Sequence, residues 1–205
     1  MASRDQPAER LNQVSITLHL PSKYSLSLIS SGVYSFSLNG AWISMFIITS
    51  EGVMVIDPMN VAHSEAMLAE IRELTSLPIR YLFYSHNHWD HTKGGQVWKN
   101  EGATIISHVD AYDWIEENPS EDLVLPDEQW SGDMFQVTLG ETTLELHSTG
   151  PSHGQGMTMF VLPREKVGAG GEEGGGEERH QEEMIDCTLK LWLVIFKNIL
   201  IFYIT

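Results

Sequence analysis

Six residues of the sequence, His86 to His91, hold three histidines and one aspartate, and they follow directly on a short apolar run, "PIRYLFYS". The run predicts a buried β-strand that opens at Pro78, and the pair Gly94-Gly95 predicts a short helix just after the cluster. The histidine cluster is therefore expected on a strand-to-helix loop at the edge of a sheet, where binding sites commonly form.

The pattern of the rest of the chain predicts an α/β sandwich rather than a helix bundle or a pure β-barrel. Strands are predicted at 25–38, 41–49 and 52–57, separated by Ser-Gly, Asn-Gly and Glu-Gly turns, and later at 103–108, 134–140, 142–147 and 157–163. Helices are predicted at 61–76, 94–101 and 110–118. The apolar face of the first helix is expected to consist of Ala66, Leu68, Ile71 and Leu74.

The composition limits the classes of function. With a formal charge of -16 and no basic stripe, the chain is not expected to bind nucleic acid. A bound divalent metal would offset part of that charge. The single cysteine, Cys187, excludes an intrachain disulfide. The polar N-terminus does not resemble a secretory signal, so a cytoplasmic protein is the default expectation.

Changes in composition divide the chain into four segments. Residues 1–20 are expected to form a loose leader, and residues 21–167 a folded domain. Residues 168–186, rich in glycine and glutamate, are expected to be a flexible linker because they cannot bury a core. For the apolar tail, 187–205, the sequence predicts no particular secondary structure. Lys190, Lys197 and Asn198 interrupt it, and it is shorter than the roughly 20 apolar residues of a membrane span, so no membrane contact is expected.

The cluster itself predicts a metal site. Side chains two apart point the same way in an extended segment, so His86, His88 and Asp90 are expected to converge, while His91 would suit a second ion. Imidazole and carboxylate are good ligands for zinc, at about 2.0 to 2.2 Å. His153, in the glycine-rich turn "GPSHGQG", is the expected third nitrogen of a three-histidine site with one open position. The alternative is a solvated polar loop that binds no metal.

Together these motifs resemble those of the metallo-β-lactamase-fold superfamily of hydrolases. The resemblance covers about residues 25–163 and rests on the strand that ends in Asp57, the cluster "SHNHWDH" and the turn "GPSHGQG". It implies an αββα sandwich, of which residues 21–167 would be an incomplete domain: the N-terminal half plus the start of the second half. It also implies a small-molecule substrate that is hydrolysed by a metal-activated water.

Carried over residue by residue, the resemblance implies one or two zinc ions. The ligands would be three histidines for the first zinc, and an aspartate and a histidine for the second as in the glyoxalase II-like and lactonase-like branches: His86, His88 and His153, then Asp90 and His91. Asp90 would also have a catalytic role, the orientation of the attacking water. Asp57 would support the metal loop rather than bind metal.

The family pattern ends early in this chain. A complete member continues into a second half with a metal-bridging aspartate and a further histidine, whereas this sequence continues after Val167 into the linker and the tail. His147, at the end of a predicted strand, is the nearest substitute for a missing ligand, while Asp186 and His180 lie in or beside the linker. We therefore hypothesise a truncated or alternatively spliced product.

Two functional interpretations remain open at this point. In the first, the chain is a zinc-dependent hydrolase of ester, lactone, thioester or amide bonds. In the second, it is a catalytically impaired form that binds at most one zinc and acts only through protein association. The sheet surface that a missing half would have covered would then provide the contact for self-association.

Overall fold

The computed structural model describes residues 24–40, 42–150, 152–171, 191–196 and 199–204. These residues form two β-sheets that pack face to face, with helices against the outer face of the first sheet. The predicted α/β sandwich is therefore confirmed. The predicted leader, residues 1–20, lies outside the described residues.

The first sheet has seven strands in sequence order. Its first four strands pair antiparallel, and the pairings from the fourth strand to the seventh are parallel. The turn at Ser31-Gly32 divides the first predicted strand into two. The seven strands are β1 (Tyr24–Ser30), β2 (Val33–Leu38), β3 (Trp42–Ile48), β4 (Val53–Ile56), β5 (Ile79–Phe83), β6 (Thr104–His108) and β7 (Glu128–Trp130).

The second sheet is antiparallel throughout and has the strand order β12-β13-β11-β10-β9-β8. The three strands predicted between residues 134 and 163 are present in it. Its members are β8 (Met134–Leu139), β9 (Thr142–Ser148), β10 (Thr158–Leu162), β11 (Val167–Gly171), β12 (Leu191–Phe196) and β13 (Ile199–Ile204).

The described helices are α1 (Val61–Leu74), α2 (Trp89–Thr92), α3 (Gly95–Asn100) and α4 (Val109–Glu117). The buried face of α1 differs from the predicted one. Met67 and Ile71 are buried together with the polar residues His63 and Ser64, whereas Leu74 is 44% exposed. The buried stripe begins with two polar side chains, which a count of apolar residues does not detect.

Two hydrophobic cores lie on either side of the first sheet. One fills the space between the sheets and includes Met45, Phe83, Leu144 and Phe160. The other packs the first sheet against α1, α3 and α4 and includes, among others, Phe46, Val55, Ile71, Leu82, Trp98 and Ile115. Because β3 and β4 are covered on both faces, they are almost continuously apolar rather than alternating.

The linker prediction is wrong at its start. β11 extends to Gly171 and pairs with both β10 and β13, so residues 168–171 are strand. Its backbone supplies the pairing, while Val167 and Ala169 reach the core between the sheets. The rest of the predicted linker, 172–186, lies outside the described residues, and the apolar tail contributes β12 and β13. In the described part of the chain, no helix is long and apolar enough to cross a membrane.

Candidate metal centre

The histidine cluster lies where β5 ends and the chain turns into α2. The segment from Tyr84 to His88 is not helical, but α2 begins at Trp89, so the extended backbone assumed for the whole cluster is wrong from Trp89 onward. Asp90 is therefore part of a helix, and the alternation of side chains along an extended chain does not align it with the histidines. Asp90 is exposed in the first turn of α2, and its Oδ2 accepts a hydrogen bond from Trp42 Nε1 at 3.4 Å.

Three histidines from two loops come together, and we call them the histidine trio: His86, His88 and His153. The first two lie in the loop after β5, and the third lies in the loop between β9 and β10. One ring nitrogen of each residue lies within 4.8 Å of the others. The ring centroids are 4.6 Å apart for His86 and His88, 4.5 Å for His88 and His153, and 5.4 Å for His86 and His153. The structure thus brings together the three residues predicted for the first metal.

A chain of hydrogen bonds fixes which nitrogen of His86 carries the proton. The Ser85 hydroxyl oxygen lies 2.6 Å from Asp57 Oδ2 and 2.9 Å from His86 Nδ1. Because a carboxylate can only accept, the hydroxyl donates to Asp57 and accepts from the Nδ1–H of His86. His86 Nε2 then carries the lone pair that a metal ligand needs.

His91 is held by the same carboxylate. Its Nδ1 lies 2.9 Å from Asp57 Oδ2, and the backbone N–H of Ser85 donates to Asp57 Oδ1 at 2.8 Å. The ring centroids of His91 and His86 are 4.3 Å apart. His91 nevertheless does not belong to the group of histidines whose ring nitrogens lie within 4.8 Å of one another. Fully buried, Asp57 therefore orients residues on both sides of the cluster, which fits the supporting role that the resemblance implied.

Burial and the charges of neighbouring histidines favour the neutral form of two members of the trio, His86 and His88. Burial, followed by the charges of His91, His88 and His153, lowers the pKa of His86 to about 2. Burial and the charge of His153 also lower the pKa of His88. Neutral imidazole is the form that binds metal, so at pH 7 protons do not compete for these two side chains.

The residues of the trio fit a bound metal ion. His86 Nε2 is buried and has no hydrogen-bond partner among the described residues. A buried polar atom without a partner lowers the stability of the folded state by about 1–3 kcal/mol, and coordination of a cation would remove that penalty. Three histidine nitrogens with a fourth position left open are the donor set of one class of catalytic zinc site. The trio can therefore hold a metal ion.

Hydrogen bonds between the two loops keep the trio together. The backbone N–H of Asn87 donates to the Gln155 carbonyl at 3.2 Å, and Asn87 Oδ1 accepts from the Gln155 N–H at 2.9 Å. The N–H of Thr158 donates to the Ser85 carbonyl at 2.8 Å. The loop that carries His153 is thus attached through its backbone to the loop that carries the other two histidines.

Replacing Gly154 with alanine is expected to push these loops apart. A Cβ atom there would lie 2.7 Å from His86 Cδ2 and 2.8 Å from Asn87 Oδ1. We expect an affinity for zinc that is about tenfold lower, and a free energy of unfolding lower by about 1–3 kcal/mol. Gly170→Ala is the matched control, because its Cβ would meet no atom nearer than 3.8 Å and neither glycine has a left-handed φ. Equal zinc affinities of the two variants would contradict the prediction.

Two supporting residues of the cluster, Ser85 and Asn87, were not predicted from the sequence. Both lie within the motif "SHNHWDH", and their positions beside candidate ligands are the signal that could have identified them. His147, considered above as a substitute ligand, lies outside the trio. Its Nε2 is 3.0 Å from Glu145 Oε2 on the same strand.

Comparison with solved structures supports the fold. A metallo-beta-lactamase from Pontibacter korlensis superposes with a TM-score of 0.62 at 20% identity, covering 70% of this chain and 69% of that one. The native FEZ-1 metallo-beta-lactamase from Legionella gormanii gives a TM-score of 0.62 at 21% identity, covering 77% of this chain and 68% of that one.

Comparison of sequences identifies the family. The alpha subunit of 2,4-dinitroanisole O-demethylase from Nocardioides sp. (strain JS1661) is 29% identical over 89 residues, which are 43% of this chain and 27% of that protein. The match therefore spans about a quarter of the length of this relative. Residues 43–174 match the model of the metallo-beta-lactamase superfamily. Since this range is more than half of the 205 residues, the chain belongs to the metallo-beta-lactamase superfamily.

Proposed function

We propose that the protein is a zinc-dependent hydrolase that cleaves an ester, lactone, thioester or amide bond of a small-molecule substrate. The observation that carries this proposal is the unpartnered Nε2 atom of His86 within the histidine trio. When bound to the trio, zinc would polarise a substrate carbonyl and lower the pKa of water from 15.7 to about 7.

The protein's own residues prepare the trio for this chemistry. Asp57 and Ser85 hold the Nδ1–H of His86, so its Nε2 can bind a cation without a change of tautomer. The partial exposure of His88 and His153 leaves an approach for a substrate, while the burial of His86 excludes water from the other side. The site therefore combines a rigid buried ligand with an accessible face.

We propose Asp90 and His91 as ligands of a second zinc, with Asp90 orienting the attacking water. Two contacts support this assignment. The ring of His91 lies beside that of His86, and donation of its Nδ1–H to Asp57 leaves the lone pair on Nε2. The carboxylate of Asp90 is exposed, and Trp42 Nε1–H restrains it by a hydrogen bond.

A second candidate function is a form that binds at most one zinc and acts through protein association. One observation favours it. Among the described residues, the group whose possible ligand atoms all lie within 4.8 Å of one another contains the trio but neither Asp90 nor His91. The contact would use the outer face of the second sheet, since α1, α3 and α4 all pack against the first sheet. A second copy of the chain would bind there.

Metal analysis combined with turnover distinguishes the two functions. For the hydrolase we expect two zinc ions per chain, and turnover that disappears when EDTA removes the metal and returns when zinc is added. The substrates are a chromogenic β-lactam, a lactone, a thioester, an aryl ester and 2,4-dinitroanisole, the compound in the name of the matched demethylase subunit. At most one weakly bound zinc, without turnover of any substrate, would contradict the hydrolase. Self-association in sedimentation would then support the alternative.

A further inference from the structure

A buried histidine outside the trio is connected to it by hydrogen bonds. His63, in the first turn of α1, is fully buried, and its Nε2 lies 2.9 Å from Ser44 Oγ. Ser44 Oγ lies 2.6 Å from the backbone oxygen of Asp57. Because a carbonyl only accepts, the Ser44 hydroxyl donates to Asp57, and the Nε2–H of His63 donates to Ser44. Burial lowers the pKa of His63 to about 4, so its ring is neutral at pH 7.

These bonds act on a strained part of the backbone. Asp57 has a φ of 57°, in the left-handed region that a non-glycine residue adopts only when its surroundings enforce it. Its backbone N–H donates to the Phe83 carbonyl at 3.0 Å, and its carbonyl accepts from Ser44. The peptide groups on both sides of this residue are therefore fixed.

The orientation of the Asp57 carboxylate follows from this backbone conformation. From it, Oδ1 and Oδ2 reach the N–H and the hydroxyl of Ser85, and Oδ2 also reaches His91. Hydrogen bonds thus lead from His63 through Ser44 to the backbone carbonyl of Asp57, and from the Asp57 carboxylate through Ser85 to His86 Nδ1. The two parts are joined by the covalent structure of Asp57 itself.

We propose that His63 is a positioning residue of the metal centre, which through Ser44 holds Asp57 in the conformation that sets the tautomer of His86. The proposal rests on the metal centre of the proposed function. Packing alone does not account for a histidine here. Its ring meets Phe36 edge-on at 5.0 Å, and its Nδ1 is buried with no hydrogen-bond partner among the described residues. A phenylalanine would fill the same space without an unsatisfied polar atom.

Variants of His63 separate positioning from packing. His63→Phe keeps an aromatic ring but removes the donor to Ser44, whereas His63→Gln keeps an amide donor near the position of Nε2. Ser44→Ala breaks the next bond and tests the same chain if His63→Phe does not fold. His108→Phe is the matched control, since His108 is also buried, accepts a hydrogen bond from a backbone N–H at the start of a helix, and lies outside the trio.

The first measurement is the tautomer of His86 in the metal-free protein, from the imidazole ¹⁵N shifts. The second is zinc affinity, from competition with a chromophoric chelator, with the free energy of unfolding measured in parallel. We expect His63→Phe and Ser44→Ala to raise the Nε2–H fraction of His86 and to weaken zinc binding about tenfold, while His63→Gln restores most of both. His108→Phe should leave both within about twofold of wild type.

The proposal is overturned if His86 keeps its wild-type tautomer in both His63→Phe and Ser44→Ala. It is also overturned if these variants lose no more zinc affinity than His108→Phe does when the free energy of unfolding falls by the same amount. Failure of the proposed function would look different. A wild-type protein that binds no zinc would contradict the hydrolase, while the tautomer comparison, which needs no metal, would still decide the role of His63.

Discussion

Replacing His88 with alanine is expected to abolish the proposed hydrolysis while the fold stays intact. His88 supplies one of the three ring nitrogens of the trio, and the remaining two cannot complete the site. We expect zinc affinity to fall by more than the 10- to 100-fold that is typical when a residue that only orients a ligand is lost. Because His88 is partly exposed, the free energy of unfolding of the metal-free protein should change by less than about 1 kcal/mol. Zinc competition, turnover and chemical denaturation measure the three quantities.

His147→Ala is the control for this substitution. It also removes a partly exposed histidine, but one that bonds Glu145 and lies outside the trio. Its zinc content and turnover should stay within about twofold of wild type. Wild-type zinc content and turnover in the His88 variant would show that the trio is not the metal site.

The order of strands and helices could be predicted because each element has a local side-chain pattern. The exceptions lack one. β11 contains mainly glycine, and its residues 168–171 have the composition of a linker, yet its backbone pairs with a strand on each side. β7 has three residues, too few to show alternation. In α1, the buried positions of His63 and Ser64 depend on partners elsewhere in the fold.

The three histidines of the trio could be predicted because two of them share a short motif and the third lies in a glycine-rich turn. Their support could not be derived in the same way. Ser85 is 28 residues from Asp57 in the chain, and Ser44 is 19 residues from His63. No local pattern relates such pairs. Their contacts exist only after β3, β4 and α1 have packed, so the sequence alone presents His63 as an ordinary histidine.

Replacing Asp57 with asparagine is expected to invert the tautomers of two histidines at once. If the asparagine oxygen keeps the bond to the Ser85 N–H, its NH₂ group takes the place of Oδ2. The Ser85 hydroxyl then accepts from that NH₂ and loses the carboxylate to which it donated. Since His86 Nδ1 is its other hydrogen-bond partner, we expect the hydroxyl to donate there, which moves the His86 proton to Nε2. His91 Nδ1, which also faces Oδ2, must become an acceptor. Both Nε2 atoms would carry a proton where a metal ligand needs a lone pair.

The expected result for Asp57→Asn is a protein that folds but binds zinc poorly. In a serine protease triad the same change holds the histidine in the wrong tautomer and lowers kcat about 10⁴-fold. Here we expect zinc affinity to fall by at least about 100-fold, with a loss of only about 1–2 kcal/mol in stability because most hydrogen bonds are replaced. Asp110→Asn is the control. Asp110 Oδ2 lies 3.4 Å from Nδ1 of His108, which is a histidine outside the trio, and the Asp110 side chain is largely exposed. A Nδ1–H signal of His86 that persists in Asp57→Asn, together with wild-type zinc affinity, would rule out the assignment of the tautomer to Asp57 and Ser85.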